Sequence, residues 1–252
     1  MRQIFSLLIT FLYIPYVSAD LVETIALIKP SVVGIGVYTP TGRPQSKLHG
    51  SGFVIGAGEY VVTNYHVVPK ELNVERKQQM AIFIGTGRTT KVRKATVIAV
   101  DKQHDLAVLK VKGGALKPFR LAGKKLLPEG SSVAFTGFPI GSVLGLYPVT
   151  HRGIIAAITP TIIPVDNVSQ ISLKALKQLR NPYLVYQLDA TAYPGNSGSA
   201  LYDPITGSVI GVINKVFVQG LKESTLTNPS GITYAIPVKY LHDLLKANNI
   251  NI

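Results

Sequence analysis

Residues 32–63 read VVGIGVYTPTGRPQSKLHGSGFVIGAGEYVVT. This stretch contains three short runs of β-branched and aromatic residues, at 32–38, 51–55 and 60–63, and Gly and Pro residues separate them. The same pattern continues along the chain at 81–84, 96–100, 106–111, 132–135, 153–158, 183–188, 199–202, 209–217 and 232–236. Short runs between turn residues are typical of all-β barrels and sandwiches rather than of βαβ units. The sequence therefore predicts an all-β fold.

The composition predicts a folded domain with a substantial core. The chain has 252 residues, of which 46% are hydrophobic and 15% charged. A charged share below the roughly 25% of ordinary soluble domains excludes a disordered chain. The 23 glycines follow no strict period, which excludes a collagen-like protein, and no heptads indicate a coiled coil. The absence of cysteine excludes a disulfide framework, a cysteine–metal site and a cysteine nucleophile.

A stretch with several Gly and Pro residues, at 116–130, divides the predicted strands into two groups of about six. We expect one domain over 20–252, with an N-terminal half at 20–120 and a C-terminal half at 128–252. Apolar residues at helical spacing predict two helices, at 237–246 and at 171–179.

The first 19 residues have the pattern of a secretory signal peptide. Arg2 supplies a positive charge, residues 4–17 are apolar, and Val17-Ser18-Ala19 resembles a cleavage site. The apolar run is shorter than the roughly 20 residues that a membrane-spanning helix needs. We expect cleavage of residues 1–19 after Ala19 and export of the mature protein, to the periplasm or out of the cell. The alternative is that this segment forms a buried strand or an uncleaved anchor.

Residues 193–201 read YPGNSGSAL, and in this stretch Gly195 and Gly198 flank Ser197. Glycines at these positions allow a tight backbone path that exposes a serine hydroxyl and directs amide N–H groups inward. Inward amides are what a tetrahedral oxyanion requires. The alternative is an ordinary turn, in which Ser-Gly pairs are common.

A serine nucleophile needs a base, and the base needs an orienting carboxylate. His66 follows an apolar run in YVVTNYHVV, at 60–68, and Asp105 stands directly before another in DKQHDLAVLK, at 101–110. A structurally buried histidine and a turn aspartate are the alternatives. The chain order His66, Asp105, Ser197 is that of the chymotrypsin-like triad and differs from the subtilisin and α/β-hydrolase orders.

With that order, the motifs resemble the HtrA/DegP-type trypsin-like serine proteases. The matching segments are GSGFVI at 50–55, VTNYHV at 62–67, HDLAVLK at 104–110, PGNSG at 194–198 and GITYAIP at 231–237. The resemblance implies two six-stranded antiparallel β-barrels of chymotrypsin type and a C-terminal helix, with the active site between the barrels. It also implies Ser197 as nucleophile, His66 as general base and then acid, and Asp105 as the orienting carboxylate. The backbone amides of Gly195 and Ser197 would form the oxyanion hole.

The sequence departs from the family pattern in three places. Ser199 stands where the family usually has the second glycine after the nucleophile, the segment 159–182 looks longer than usual, and no PDZ domain is expected. The segment 159–182 is either a gating loop or a tolerated surface insertion.

The resemblance also implies a substrate pocket. Trypsin-like pockets that select Lys or Arg carry an acidic residue six positions before the nucleophile, where this chain has Thr191. Asp189 is interpreted as structural, and the edge strand Ile213-Asn214-Lys215 should pair with the substrate backbone and line the pocket. We therefore expect small or aliphatic P1 residues.

The chain carries 26 Lys and Arg against 13 Asp and Glu, a formal charge of +13, with basic residues concentrated at 70–94 and 110–125. Such a face allows non-specific contact with anionic envelope surfaces, but no motif indicates specific nucleic-acid binding. The five scattered histidines show no metal-ligand spacing, and we expect no cofactor.

The sequence predicts a serine endopeptidase that cleaves unfolded or extended polypeptides through an acyl-enzyme intermediate. Oligomer formation is compatible with this prediction. One alternative is a chaperone-like or binding protein with the same fold and a collapsed oxyanion turn. The other is a basic envelope-associated adaptor without turnover.

Overall fold

The computed structural model describes residues 20–87, 89–139, 145–161, 182–214 and 231–252. The predicted signal peptide at 1–19, the predicted helix at 171–179, most of the segment 159–182, and Lys215 lie outside these residues.

Twelve strands form two closed antiparallel barrels, which confirms the predicted chymotrypsin-type fold. The strands of the first barrel are β1 (Val32–Tyr38), β2 (Ser46–Ile55), β3 (Tyr60–Asn64), β4 (Gln79–Thr86), β5 (Thr89–Asp101) and β6 (Leu106–Val111). Those of the second are β7 (Ser132–Gly137), β8 (Val149–Pro160), β9 (Leu184–Asp189), β10 (Ala200–Tyr202), β11 (Val209–Asn214) and β12 (Ile232–Pro237). The barrels close in the orders β1-β2-β3-β6-β5-β4 and β10-β11-β12-β9-β8-β7.

Among the described residues, two α-helices flank the barrels. Helix α2 (Val238–Ala247) confirms the predicted C-terminal helix, with Pro237 immediately before its first residue, and it buries Val238, Leu241, Leu244 and Leu245. Helix α1 (Leu21–Ile28) precedes β1 and was not predicted. None of the helices among the described residues is long and apolar enough to cross a membrane.

The apolar interior has three parts. One cluster fills the first barrel and another fills the second. The third includes residues of both barrels and the apolar face of α2. The segment between the barrels is fixed by backbone bonds on both sides, from Phe119 N–H to Val54 O and from Ala122 N–H to Val209 O. Because apolar burial is the main favourable contribution to folding, the third cluster fixes the barrels against each other and thereby positions the residues at their junction.

Candidate active site

His66 and Asp105 form a hydrogen-bonded pair at the ends of two adjacent strands. Strand β3 ends at Asn64, a 3₁₀ turn over Tyr65–Val67 carries His66, and Asn64 pairs with Leu106 at the start of β6. His66 Nδ1 lies 2.6 Å from Asp105 Oδ2, and the His66 backbone N–H donates to Oδ1 at 2.9 Å. Because an ionised carboxylate only accepts hydrogen bonds, Nδ1 of the neutral ring is the donor, and Nε2 remains available to accept a proton.

Asp105 itself has a backbone conformation that is uncommon outside glycine, with φ +53°. Its carbonyl accepts from the Tyr65 N–H and from the Asn64 side-chain amide, both at 3.0 Å. The Asn214 amide of the second barrel donates to Oδ2 at 2.9 Å. The first two donors therefore fix the Asp105 backbone, and the third holds its carboxylate from across the barrel junction.

The residues before Ser197 form a type II turn. Asn196 N–H donates to Tyr193 O at 3.0 Å, and Gly195, the third residue of the turn, has φ +100°. A type II turn requires positive φ at this position and favours Pro at the preceding one, which here is Pro194. In a type I turn the peptide between these two residues would be flipped, and the Gly195 N–H would have the opposite orientation.

Ser197 is held at the first barrel by close backbone contacts. The Ser51 N–H donates to Ser197 O at 2.9 Å, and the Gly198 N–H donates to Ile213 O at 3.0 Å. Gly198 has φ +86°, and a Cβ at this position would lie 2.2 Å from Ser51 O. Glycine is therefore required here for both its conformation and its close approach.

Three polar groups on this turn make no hydrogen bond within the described parts of the chain: the Gly195 N–H, the Ser197 N–H and the Ser197 hydroxyl. Ser197 is 7% exposed. The structure thus brings the serine turn to the barrel that carries the His66–Asp105 pair, but it does not join Ser197 Oγ to His66 by a hydrogen bond. Such bonds are often long in proteins without substrate.

Behind the turn lies a polar cluster that the sequence did not predict. Asn196 Nδ2 lies 3.4 Å from His151 Nε2, and the His151 ring stacks on Phe135 at 4.8 Å. Burial lowers the pKa of His151 below its usual 6.5. Asn196 Oδ1 and Ser199 Oγ are buried and find no hydrogen-bond partner among the residues that the structure describes.

A second His–Asp pair lies beside the first. His104 Nδ1 is 2.5 Å from Asp101 Oδ2, and the His104 ring stacks on Tyr240 of α2 at 4.1 Å. Burial is the largest single influence on the pKa of Asp101, and it raises that pKa. The interactions with His104 and Gln103 together outweigh burial, so the pKa of Asp101 is lowered overall. The pair attaches α2 to the turn that presents Asp105.

The expected pocket residues are placed differently from the prediction. Strand β11 lies between β10 and β12 rather than at an edge. Ile213 donates to Ser199 O, accepts from Gly198 N–H and lies in the second barrel's core, so its expected pairing with substrate is wrong. The side-chain amide of Asn214 donates to Asp105.

The remaining described pocket position, Thr191, lies between β9 and the serine turn, shortly after Asp189, which was interpreted as structural. Asp189 ends β9 and is exposed, and Thr191 is half-buried. Thr233 Oγ1 accepts from the Ala192 N–H at 2.9 Å and donates to Ala190 O at 2.6 Å, so Thr233 fixes the backbone around Thr191. Sequence reasoning missed this role, since no spacing relates Thr233 to residues 190–192.

Two antiparallel six-stranded barrels with a serine turn and a His–Asp pair at their junction define the chymotrypsin-like class of serine peptidases. The family model described as "Trypsin-like peptidase domain" matches residues 50–212, and the chain belongs to this family. No group of three or more His, Asp or Glu residues in the described part of the chain is arranged to hold a metal ion.

The relatives are HtrA-type proteases. The probable periplasmic serine endoprotease DegP-like of Halomonas elongata is 31% identical over 195 residues, which are 77% of this chain and 34% of that protein. The serine protease Do-like HtrA of Lactococcus lactis is 30% identical over 198 residues, 77% of this chain and 43% of that protein. A serine endoprotease structure from Yersinia pestis shares the fold with a TM-score of 0.62 at 22% identity, covering 92% of this chain and 67% of that one. The chain spans less than half the length of the two curated relatives.

Proposed function

We propose that this protein is a serine endopeptidase in which Ser197 is the nucleophile, His66 the general base and then acid, and Asp105 the carboxylate that orients His66. A serine hydroxyl is a weak nucleophile without an adjacent base. The 2.6 Å bond to Asp105 fixes the His66 ring and leaves Nε2 to take the hydroxyl proton.

The reaction then proceeds in two halves. Ser197 Oγ attacks the substrate carbonyl carbon while its proton passes to His66 Nε2, and the carbonyl oxygen becomes an oxyanion. His66 returns the proton to the leaving amine, the C–N bond breaks, and an acyl-enzyme ester remains on Ser197. Water repeats the sequence and releases the acid.

The observation that carries the proposal is the pair of uncommitted N–H groups of Gly195 and Ser197 on a turn of type II. Donors already in place for the oxyanion need no rearrangement as charge develops, and one such donor is worth about 3–4 kcal/mol of transition-state stabilisation. The chaperone-like alternative requires a collapsed turn with the Gly195 N–H turned away, and the observed turn favours the enzyme.

The relatives are named as proteases, which supports a polypeptide substrate. The substrates we propose are unfolded or extended polypeptides with small or aliphatic P1 residues. The uncharged, half-buried Thr191 supports this preference, because it offers no charge to pair with Lys or Arg. We also propose export, as for the periplasmic DegP-like relative. Peptides with Ala or Val at P1 should be cleaved faster than matched peptides with Arg; a preference for Arg would contradict the proposed pocket.

Covalent labelling tests the function. A fluorophosphonate should label the wild-type protein and the Ser199→Ala variant but not Ser197→Ala. Casein should likewise be cleaved by the wild-type protein and by Ser199→Ala but not by Ser197→Ala. Ser199 is a matched control because it is a buried serine two residues from the proposed nucleophile. Labelling of Ser197→Ala, or no labelling and no cleavage by the wild-type protein, would refute the proposal.

A substitution tests the base. Without the His66 imidazole no positioned group takes the hydroxyl proton, so His66→Ala should lose peptide cleavage. Cleavage at the wild-type rate would exclude His66 as the base.

A further inference from the structure

We propose that Ser51 of the first barrel is a positioning residue for the oxyanion turn of the second barrel. This inference rests on the proposed peptidase function. It assigns to Ser51 a role in catalysis that requires no contact between Ser51 and the substrate.

All the polar groups of Ser51 make hydrogen bonds, and two of them reach the serine turn. Its hydroxyl donates to Gly195 O at 2.7 Å and accepts from the Phe138 N–H at 2.9 Å. Its backbone N–H donates to Ser197 O at 2.9 Å. Its carbonyl accepts from the Thr63 hydroxyl at 2.7 Å. The residue is fully buried, so water cannot replace these partners.

These bonds fix the turn on both sides of Asn196. The Gly195–Asn196 peptide is held at its oxygen by the Ser51 hydroxyl and at its N–H by Tyr193 O. The Ser197 carbonyl is held by the Ser51 backbone. The two proposed oxyanion donors, Gly195 N–H and Ser197 N–H, belong to the residues whose carbonyls Ser51 holds.

The same residue connects the turn to the strand that leads to the proposed base. Thr63, which donates to Ser51 O, lies in β3 three residues before His66. At Gly50, next to Ser51, a Cβ would lie 2.8 Å from Val67, the neighbour of His66, and 2.9 Å from Ser197 O. Ser51 therefore sets the position of the oxyanion donors relative to His66.

Loss of the Ser51 hydroxyl should act on the transition state more than on substrate binding. Oxyanion donors must lie about 2.7–3.1 Å from the developing charge. A misplacement of about 1 Å reduces the rate about hundredfold. Ser51→Ala removes the hydrogen bond to the Gly195 carbonyl but keeps the bond from the Ser51 backbone to Ser197, so the turn loses one of its two attachments to Ser51. We therefore expect kcat to fall about tenfold to hundredfold with little change in KM.

Ser199→Ala provides a matched control. Ser51 and Ser199 are both fully buried, and a Cβ on Gly137 would lie within 3 Å of both hydroxyls, 2.8 Å from Ser51 and 2.1 Å from Ser199. The Ser199 hydroxyl makes no hydrogen bond to any described residue. The two variants thus remove one buried hydroxyl each from the same cluster, and only one of these hydroxyls holds the turn.

The experiment measures kcat and KM with a peptide substrate, and the affinity for two ligands of the same peptide sequence, a boronic acid and a carboxamide. The boronic acid forms a tetrahedral adduct with the serine and uses the oxyanion donors; the carboxamide does not. Ser51→Ala should lose kcat and boronate affinity by similar factors and keep its carboxamide affinity, whereas Ser199→Ala should retain all three. Ser51→Cys, which keeps a side chain of similar size but is a weak donor, should behave like Ser51→Ala if the alanine variant proves too unstable to assay.

Two outcomes would overturn the positioning role alone: kcat of Ser51→Ala and Ser51→Cys within about twofold of wild type, or equal losses of boronate and carboxamide affinity, which indicate general damage to the fold. Turnover that persists in Ser197→Ala would instead refute the proposed function, and with it this inference.

Discussion

A methyl group added at Gly137 tests whether the polar cluster behind the serine turn is as tightly packed as its contacts indicate. In Gly137→Ala the new Cβ would lie 2.1 Å from Ser199 Oγ, 2.8 Å from Ser51 Oγ and 2.9 Å from Asn196 Oδ1. All three distances are below ordinary van der Waals contact, and Ser51 is bonded on two sides and cannot easily move. Overpacking of this kind costs about 1–3 kcal/mol, and we expect a loss of about 2–3 kcal/mol.

A second substitution should recover part of this loss. Ser199→Ala removes the atom of the 2.1 Å contact, and the methyl of Ala at 137 then occupies the space of the former hydroxyl. Because that hydroxyl is buried and has no hydrogen-bond partner in the described part of the chain, Ser199→Ala alone should be neutral or should stabilise the protein by about 1 kcal/mol. In the double variant the contacts at 2.8 and 2.9 Å remain. We therefore expect a favourable coupling of about 1–2 kcal/mol and incomplete recovery.

Urea unfolding followed by far-UV circular dichroism measures all four proteins of the cycle, since the chain has no Trp and the signal must come from the strands. A shift of the midpoint with an unchanged slope identifies a change in stability. If Gly137→Ala costs less than about 0.5 kcal/mol, or if the two substitutions are additive within about 0.5 kcal/mol, the packing inferred around Gly137 is wrong.

Three further changes test other parts of the structure. Asn214→Ala removes the amide that donates to Asp105 Oδ2; since a hydrogen bond to a charged group is worth about 1.5–3 kcal/mol, kcat for peptide cleavage should fall about tenfold to hundredfold. Leu241→Ala opens a fully buried site between α2 and the barrels and should cost about 2–5 kcal/mol in urea unfolding. Acidification should reduce stability through His151, whose pKa burial lowers: below 6.5 the unfolded chain takes up a proton that the folded ring does not, and the loss is complete below the folded pKa.

Each of these changes has its own control. Asn73→Ala, in an exposed loop, should leave kcat unchanged, and equal kcat for Asn214→Ala and wild type would contradict the role of the amide. Lys246→Ala, on the exposed face of α2, should cost less than about 0.5 kcal/mol. His151→Gln should retain more of its stability than wild type on acidification, and parallel curves of stability against pH for the two proteins would exclude His151.

The barrels could be predicted because their information is local. Each strand reads as a short β-branched run between turn residues, and the Gly- and Pro-containing stretch at 116–130 separates the halves. The predicted lengths of two strands were too short. The runs at 96–100 and 153–158 are only parts of the longer strands β5 (Thr89–Asp101) and β8 (Val149–Pro160). Polar residues such as Lys91 and Arg93 lengthen β5 beyond the predicted run and pair with the neighbouring strand β4. Pairing of polar residues leaves no apolar pattern in the sequence from which the strand could be predicted.

The site was predicted in part. His66 and Asp105 were predicted as a pair from the chain order of the triad and the family resemblance, and the structure places them together because β3 and β6 are adjacent strands. The roles of Ser51, Asn214 and Thr233 could not be predicted, because each depends on hydrogen bonds to residues that are far away in the sequence. Ser51 bonds Gly195 and Ser197, Asn214 bonds Asp105, and Thr233 bonds residues 190 and 192. No spacing rule connects such positions.

The hydrogen bonds across the barrel junction run in both directions, and this explains how two separately closed barrels can share one site. Ser51 of the first barrel donates to Gly195 and Ser197 on the turn of the second. Asn214 of the second barrel donates to Asp105 of the first. Each bond holds a group that the proposed reaction needs in a fixed place, the oxyanion donors in one case and the carboxylate behind His66 in the other. Apolar packing between the barrels has no preferred direction and tolerates small displacements, whereas hydrogen bonds fix distance and angle. The junction therefore requires both kinds of interaction to hold the proposed nucleophile and its base in a fixed relative position.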